Sequence, residues 1–177
     1  MHNSIHGYRI QSTIWEILHL NFYCGYRAKQ MYGEDGICQL CGERENDYFH
    51  IIVRCPALKE ALKIFDPILK QFIGVDITEN EVCFGLFEGH NIKATNLRNF
   101  ITYQIRSAAF RMRNIKFQNI SAAAKSITEK ASKDIKKELI MKMRIYLKKD
   151  SLEAFKDIYL YKNVLGEIRG GLIVFSI

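Results

Sequence analysis

The chain has 177 residues, of which 48% are hydrophobic and 25% are charged, and its formal net charge is +7. These fractions are those of an ordinary globular protein, and they exclude a disordered chain. No apolar run approaches the roughly 18 residues of a membrane span, and the first residues lack the apolar core of a signal peptide. We therefore expect an intracellular protein of the nucleus or cytoplasm that is neither secreted nor bound to a membrane.

Hydrophobic periodicity predicts a mainly α-helical protein. A first helix is predicted over residues 9–31, and the turn sequence YGEDG at 32–36 leads from it into a pair of cysteines. A second helix is predicted to begin at Pro56, because proline suits the first position of a helix, and Pro67 is expected to end or kink it. Residues 74–91 are predicted to form a connector with one short strand or turn.

The second half of the chain is predicted to contain two long helices, over residues 93–118 and 121–148. A short helix is predicted over 150–162, and the last residues, RGGLIVFSI, are predicted to be either a strand or a frayed end. These elements predict a small Cys3His zinc module between the first two helices of a helical domain. The predicted parts are residues 1–73 with the first helix and the zinc module, the connector 74–91, and a basic helical region over 92–177.

A dense group of metal-ligand residue types lies in the stretch ICQLCGERENDYFHIIVRCP, residues 37–56, with the spacing C-x2-C-x8-H-x4-C. The four residues are Cys38, Cys41, His50 and Cys55. Three thiolates and one imidazole suit a tetrahedral zinc ion, and C-x2-C lets two sulfurs reach one ion from a tight turn. Because the protein fills all four positions and leaves none for water, we predict one structural Zn²⁺ and no catalytic zinc.

The spacing of the last two candidate ligands also constrains the conformation of the backbone. His50 and Cys55 are five residues apart, about one and a half helical turns, so both can face the cysteine pair only if the helix is distorted near Cys55. Two alternatives to a metal remain open. Disulfide bonds among three cysteines would leave one thiol unpaired, and the cysteines could also be buried without a metal.

The same stretch resembles the zinc-binding segment that follows the reverse transcriptase domain in non-LTR (LINE-type) retrotransposon proteins. That segment reads C-x-L-C-G, then a polar acidic loop, then H-L-x-x-x-C-P. Here CQLCGERENDYFHIIVRCP reproduces Leu40 and Gly42 of the opening and His50, Cys55 and Pro56 of the close. The similarity extends upstream into the tryptophan-containing IWEILHLNFYCGYRAKQM and downstream into AAFRMRNIKF, and its specific part covers roughly a third of the chain.

The chain also departs from this family. Asn46 stands where the family usually has a glutamate, and both the F/Y-x-D-D polymerase signature and the endonuclease pattern are absent. The resemblance therefore implies the C-terminal piece of such a protein, either as a fragment, as a decayed copy or as a reading frame with a new use. It further implies RNA or DNA as partner, held near a reverse transcriptase moiety.

The positive charge is concentrated in one third of the chain. Residues 90–149 contain 15 of the 26 Lys and Arg but only three of the 19 Asp and Glu, a net charge of +12, whereas the remainder has a net charge of −5. Such a segment suits contact with a polyanion. The predicted nucleic-acid contacts are Arg106, Arg111, Arg113, Lys116, Lys130, Lys133, Lys137, Arg144 and Lys148.

A basic stripe on a helix can also be a solvated face, and this interpretation stays open. In the predicted helix 121–148 the basic residues lie beside an apolar stripe, formed by Ile127, Ala131, Ile135, Leu139, Met143 and Leu147. The shortage of acids favours a polyanion, because a face that is only solvated usually carries both signs. The preceding helix adds Arg98 and four aromatic residues that suit base stacking but are expected in the core: Phe100, Tyr103, Phe110 and Phe117.

No pattern in the sequence predicts catalysis or a small-molecule substrate. His19 near Cys24 is expected to pack rather than react, and GEIRGG at 166–171 lacks the G-K-[ST] of a phosphate loop. We therefore predict a non-catalytic, zinc-stabilised protein that binds nucleic acid through phosphates. The alternative is a protein-interaction adaptor whose zinc module presents Tyr48 and Phe49 to a protein partner.

Overall fold

The computed structural model describes Gly33 and residues 36–44, 49–86 and 91–177, and over these residues the protein is mainly helical, as the sequence predicts. The predicted first helix lies outside the described residues. In chain order the described elements are a π-helical turn at His50–Arg54, α1 at Pro56–Ile73, α2 at Glu79–Phe84, α3 at Ile92–Met112, α4 at Ile120–Lys148, α5 at Leu152–Tyr159, a 3₁₀ turn at Tyr161–Asn163, β1 at Gly166–Arg169 and β2 at Leu172–Phe175.

Helix α1 begins at Pro56, where the missing N–H of proline costs no helical hydrogen bond. The prediction that Pro67 ends this helix is wrong, since α1 continues to Ile73 and stops at Gly74 in the left-handed conformation. Pro67 and the residue one turn before it, Lys63, are both exposed. The carbonyl group that loses its helical partner at Pro67 therefore lies on the solvent side of α1.

The predicted connector contains α2 instead of a short strand or turn. Thr78 caps this helix, because its hydroxyl accepts a hydrogen bond from the backbone N–H of Glu81 at 3.1 Å. Glu79 and Glu81 lie in the first turn, where the helix dipole favours negative charge. The sequence ENEVCF thus forms a helix because of its cap and its acidic first turn. Hydrophobic periodicity detects neither feature.

The C-terminal residues form a hairpin, so the strand alternative for RGGLIVFSI is confirmed. Strands β1 and β2 pair antiparallel, with Gly166 opposite Phe175 and Arg169 opposite Leu172. Gly170 and Gly171, at the turn, both have positive φ, which glycine adopts without strain. The two glycines of GEIRGG therefore form the turn of a hairpin between β1 and β2.

The core lies between three helices, because α1, α3 and α4 pack against one another in pairs while α5 packs on α4. The predicted apolar stripe of α4 is buried from Ile127 through Met143. Leu147 departs from it and is 46% exposed, because it lies close to the end of α4 at Lys148. None of the described helices has both the length and the apolar character that crossing a bilayer requires.

A buried ion pair joins α3 to the region before it. Arg98 of α3 has no exposed surface and Glu81 of α2 is 4% exposed. Nε and Nη2 of Arg98 donate to the two carboxylate oxygens of Glu81, the second at 2.7 Å. Nη1 donates to the carbonyls of Leu69 at 3.2 Å and Val75 at 2.7 Å, and Nη2 donates to that of Asp76 at 2.9 Å. All five N–H groups are bonded, so Arg98 is structural and not a surface cation.

We expect the Arg98→Met protein to be less stable than the parent by about 3–5 kcal/mol, because the change leaves the Glu81 carboxylate buried without its partner. Urea unfolding followed by circular dichroism measures the difference. The matched control is Lys59→Met, which removes an exposed pair with Glu79 at 2.7 Å and should change the stability far less than Arg98→Met does. Equal stability of the two variants would contradict a structural role for Arg98.

Candidate metal centre and basic surface

The first two candidate ligands lie on a tight turn. Cys38 donates its N–H to the carbonyl of Glu43 at 2.8 Å, and its own carbonyl accepts from Gly42, also at 2.8 Å. Gly42 has φ +77°, a conformation that glycine adopts without strain. The turn sends Leu40 into the core, with 1% exposure. The C-x2-C-G sequence thus brings Cys41 back toward Cys38.

The other two ligands are placed by the distorted backbone that their five-residue spacing demands. His50 begins the π-helical turn, and the N–H of Cys55 donates to the carbonyl of His50 at 2.6 Å. Cys55 then leaves the helical conformation, with φ −54° and ψ 123°, and becomes the N-cap residue of α1. The expected distortion near Cys55 is confirmed as a π-helical widening, which often marks a functional site.

The four candidate ligand atoms converge on one point, all within 4.8 Å of one another. Cys38 Sγ and Cys55 Sγ are 3.9 Å apart, and Cys41 Sγ is 3.3 Å from His50 Nε2. A tetrahedron with metal–sulfur bonds of about 2.3 Å has edges of roughly 3.8 Å between sulfurs and roughly 3.5 Å between sulfur and nitrogen. The four side chains could therefore hold a metal ion. None of the described cysteines is in a disulfide bond, so the disulfide alternative does not apply to them.

Hydrogen bonds distribute the protons of the cluster unevenly. The thiol of Cys55 donates to the sulfur of Cys38 and, with the N–H groups of Cys41 and Leu40 and the side chain of His50, lowers the pKa of Cys38 to about 4. Burial raises the pKa of Cys41 to about 11. The pKa of Cys55 is raised by its bond to the Cys38 thiolate and by burial. A metal ion bound by three thiolates would displace the two protons that remain.

The cluster is attached to the helices at several points. The π-helical turn packs against α1, α2 and α3. Its residues Ile51, Ile52 and Val53 are all buried. On the other side, the N–H of Phe117, in the loop between α3 and α4, donates to the carbonyl of Gln39 at 3.4 Å. A metal here would therefore hold the cysteine turn and the start of α1 in fixed positions relative to that loop.

One residue predicted to contact nucleic acid, Arg106, is buried, so this prediction is wrong. It is 4% exposed, and its Nη1 donates to the carbonyl of Cys83 at 3.2 Å. Its guanidinium lies 5.4 Å from the ring centre of Tyr103, and Nε has no acceptor among the described residues. Burial lowers the pKa of Arg106. A guanidinium held at the end of α2 in this way cannot reach a phosphate.

Three other predicted contacts are engaged within the protein. Arg111 Nη2 and Lys130 Nζ both bind the carboxylate of Asp134, at 2.6 Å and 2.7 Å. Arg113 donates to the carbonyl of Phe110 at 2.9 Å, and its guanidinium lies 4.0 Å from the centre of the same ring. These cations are at least partly exposed, but two of them share one negative charge. Their attraction for a polyanion is reduced accordingly.

Four predicted contacts are exposed on one side of a single helix, and we term them the basic face. It consists of Lys133, Lys137, Arg144 and Lys148, all on α4. Spacings of four and seven residues place them on one side of the helix. None of them has a carboxylate within ion-pair distance in the part of the chain that the structure describes. Lys116, the remaining predicted contact, is exposed in the loop before α4.

The aromatic residues beside these cations lie mainly in the core. Phe100 has no exposed surface, and Phe110 is 5% exposed. Phe117 packs against the core, and the hydroxyl of Tyr103 donates to the carbonyl of Phe84 at 3.3 Å. The expectation that they are core residues is confirmed for Phe100 and Phe110. The rings of Phe100 and Phe110 are therefore not available for base stacking.

No family model, curated protein or solved structure matches the chain. The resemblance to the retrotransposon segment therefore stays a prediction from the quoted motif. Several residues named from the sequence, His19, Cys24, Asn46 and Tyr48, lie outside the described residues.

We expect the Cys41→Ser protein to lose stoichiometric metal binding, with zinc as the probe, because three ligands cannot close the tetrahedron. Structural zinc contributes on the order of 10 kcal/mol of apparent binding free energy. A loss of even about 3 kcal/mol lowers the Tm of a chain this size by roughly 6–12 °C. Elemental analysis and thermal unfolding are the measurements. Cys83→Ser, outside the cluster, is the control, and full zinc content in Cys41→Ser would refute the assignment.

Thiol titration gives a separate check on the cluster. In the zinc-loaded protein only Cys24 and Cys83 should react with a thiol reagent, and burial raises the pKa of Cys83, so its reaction should be slow. Removal of the metal with a chelator should bring three further thiols into reaction. Five fast thiols before chelation would contradict metal ligation.

Proposed function

We propose that the chain is a non-catalytic, zinc-stabilised protein that binds nucleic acid and is related to the region after the reverse transcriptase domain of non-LTR retrotransposons. The observation that carries this proposal is the basic face, where four cations lie on one side of α4 without carboxylate partners among the described residues. The quoted Cys3His motif supports the family relation. A reverse transcriptase reading frame directly upstream in the genome would support it further.

Zinc is the proposed metal because its preferred ligands are present in a closed set. Thiolate and imidazole suit zinc, whereas magnesium and calcium take oxygen ligands. The separations of 3.9 Å between Cys38 Sγ and Cys55 Sγ and of 3.3 Å between Cys41 Sγ and His50 Nε2 are close to the edges of a tetrahedral zinc site. Three thiolates would leave the centre with a net charge near −1. Such a centre is a poor Lewis acid, so we assign it a structural role.

The zinc centre supports nucleic-acid binding by positioning α4. Cys55 is a candidate ligand and the N-cap of α1, and α1 packs along α4. The bond between Phe117 and Gln39 attaches the turn of the same cluster to the loop that precedes α4. Both ends of the ligand set thus contact elements that adjoin α4, the helix that carries the basic face. A rigid support lowers the entropy lost when a ligand binds to that face.

Phosphate contact is the mode of binding that the basic face supports. Lysine and arginine attract phosphates regardless of sequence, and their contacts release counterions from the nucleic acid. One acid on the same helix is already paired within the protein, because Asp134 is bound by both Arg111 and Lys130. Asp134 therefore subtracts little from the positive potential of the basic face.

An adaptor function is the second candidate, and one observation favours it. Phe49 is 47% exposed next to the metal cluster, and the guanidinium of Arg54 lies 5.7 Å from its ring centre. Aromatic residues and arginine are enriched where proteins bind one another. A partner docked at Phe49 would contact the side of the protein that carries the cysteine cluster and not the basic face.

We expect the combined change of Lys133, Lys137 and Arg144 to Ala to weaken nucleic-acid binding and flatten its dependence on salt. Neutralising about five phosphates of duplex DNA gives a slope of roughly −4 to −5 in log K against log salt, and each lost contact removes about one unit. The slope should therefore flatten by up to about three units. Fluorescence anisotropy at several salt concentrations measures it.

The matched control for this variant is the combined change of Lys59, Lys63 and Arg169 to Ala, which removes the same charge from exposed positions outside α4. It should leave the slope close to that of the parent. If both triple variants lower the slope equally, only net charge matters and the basic face is no binding site. If the parent binds no nucleic acid while Phe49→Ala abolishes binding of a protein partner, the adaptor function replaces the proposal.

A further inference from the structure

A cavity of about 290 Å³ lies between α1, α2 and the π-helical turn, and none of the described residues that line it belongs to α4. Its floor is apolar. Val53, Leu62 and Val82 are buried there, and Ile77 packs against the core beside them. Since one water molecule takes up about 30 Å³ in the liquid, the cavity has room for roughly ten non-hydrogen atoms. It can therefore enclose the apolar part of a small molecule.

Most of the charged side chains around the cavity are paired with one another. Lys59 Nζ binds Glu79 at 2.7 Å, which neutralises both. Lys70 Nζ binds Asp66 at 2.8 Å and also binds Asp76. Two carboxylates thus share one cation, and the side chain of Asp76 is 76% exposed. The part of the rim around Lys70 therefore keeps a negative charge that a ligand can reach.

Lys63 supplies the opposite charge at the same rim. It is exposed and forms no ion pair with any residue that the structure describes. Lys63 and Asp66 are three residues apart on α1, so their side chains leave the same side of the helix. The carboxylate of Asp66 binds Lys70 instead of Lys63. The rim thus has one unpaired cation and one excess negative charge close together, next to an apolar floor.

We propose that this cavity binds a free apolar α-amino acid, a molecule that carries both charges next to an apolar side chain. The apolar side chain lies on the floor. The carboxylate of the ligand binds Nζ of Lys63, and its ammonium group binds the carboxylates of Asp66 and Asp76. An apolar acid would leave the excess negative charge unpaired, and an apolar amine would leave Lys63 unpaired. Binding of this ligand does not depend on nucleic acid, because the basic face takes no part in it.

Isothermal titration calorimetry of the full chain with L-leucine tests this proposal. Isocaproate, which is leucine without its amino group, and isoamylamine, which is leucine without its carboxylate, are the matched probes. L-leucine should bind at one molecule per chain. Each matched probe should bind about three- to fivefold more weakly, because each loses one charge contact at an exposed rim.

Two exposed variants locate the site by opposite effects on these probes. Lys63→Gln should weaken the binding of L-leucine and isocaproate about three- to fivefold and leave that of isoamylamine unchanged. Asp76→Asn should weaken the binding of L-leucine and isoamylamine and leave that of isocaproate unchanged. Lys125→Gln, which removes an exposed cation of α4, is the control and should bind all three like the parent.

Three results would overturn the inference. They are no binding of L-leucine, binding of either matched probe as tightly as L-leucine, and unchanged binding of L-leucine by Lys63→Gln. None of these results bears on nucleic-acid binding, which the salt dependence of the α4 variant tests separately.

Discussion

The five hydrogen bonds of the buried Arg98 guanidinium determine how the helices of this protein are arranged. They connect α3 to the carboxylate of Glu81 and to three carbonyl groups at and after the end of α1. Burying a cation of this kind costs least when every donor has a partner. The chain from Leu69 to Glu81 must therefore adopt one path, and that path fixes α1 against α3.

The cysteine cluster acts on the opposite end of the same helix. Cys55 precedes Pro56 as the N-cap of α1, while Arg98 binds the carbonyl of Leu69 near its C-terminal end. Between these two points α1 lies against both α3 and α4. The exposed side of α4 is thus supported by a helix that is held at both ends. The exposed side of α4 thus gains a rigid base from interactions that lie outside it.

The sequence predicts those features whose cause is local. The ligand spacing identifies Cys38, Cys41, His50 and Cys55, and the period of the apolar residues identifies α4, because both depend on neighbours along the chain. It does not predict that Arg98 and Arg106 are buried, since this depends on Glu81 and Cys83, which other elements bring close. The continuation of α1 through Pro67 likewise depends on the solvent exposure of that side of the helix.

The ligand set spans only the residues from Cys38 to Cys55, and this short span has a consequence for how the protein folds. The entropy lost on closing a loop grows with its length, so these ligands can meet before contacts between distant helices form. Because Cys55 also caps α1, a metal captured early would fix the first turn of that helix and reduce the cost of helix nucleation. Assembly would then proceed from the metal outward, and the supply of that metal during synthesis would affect the yield of folded protein.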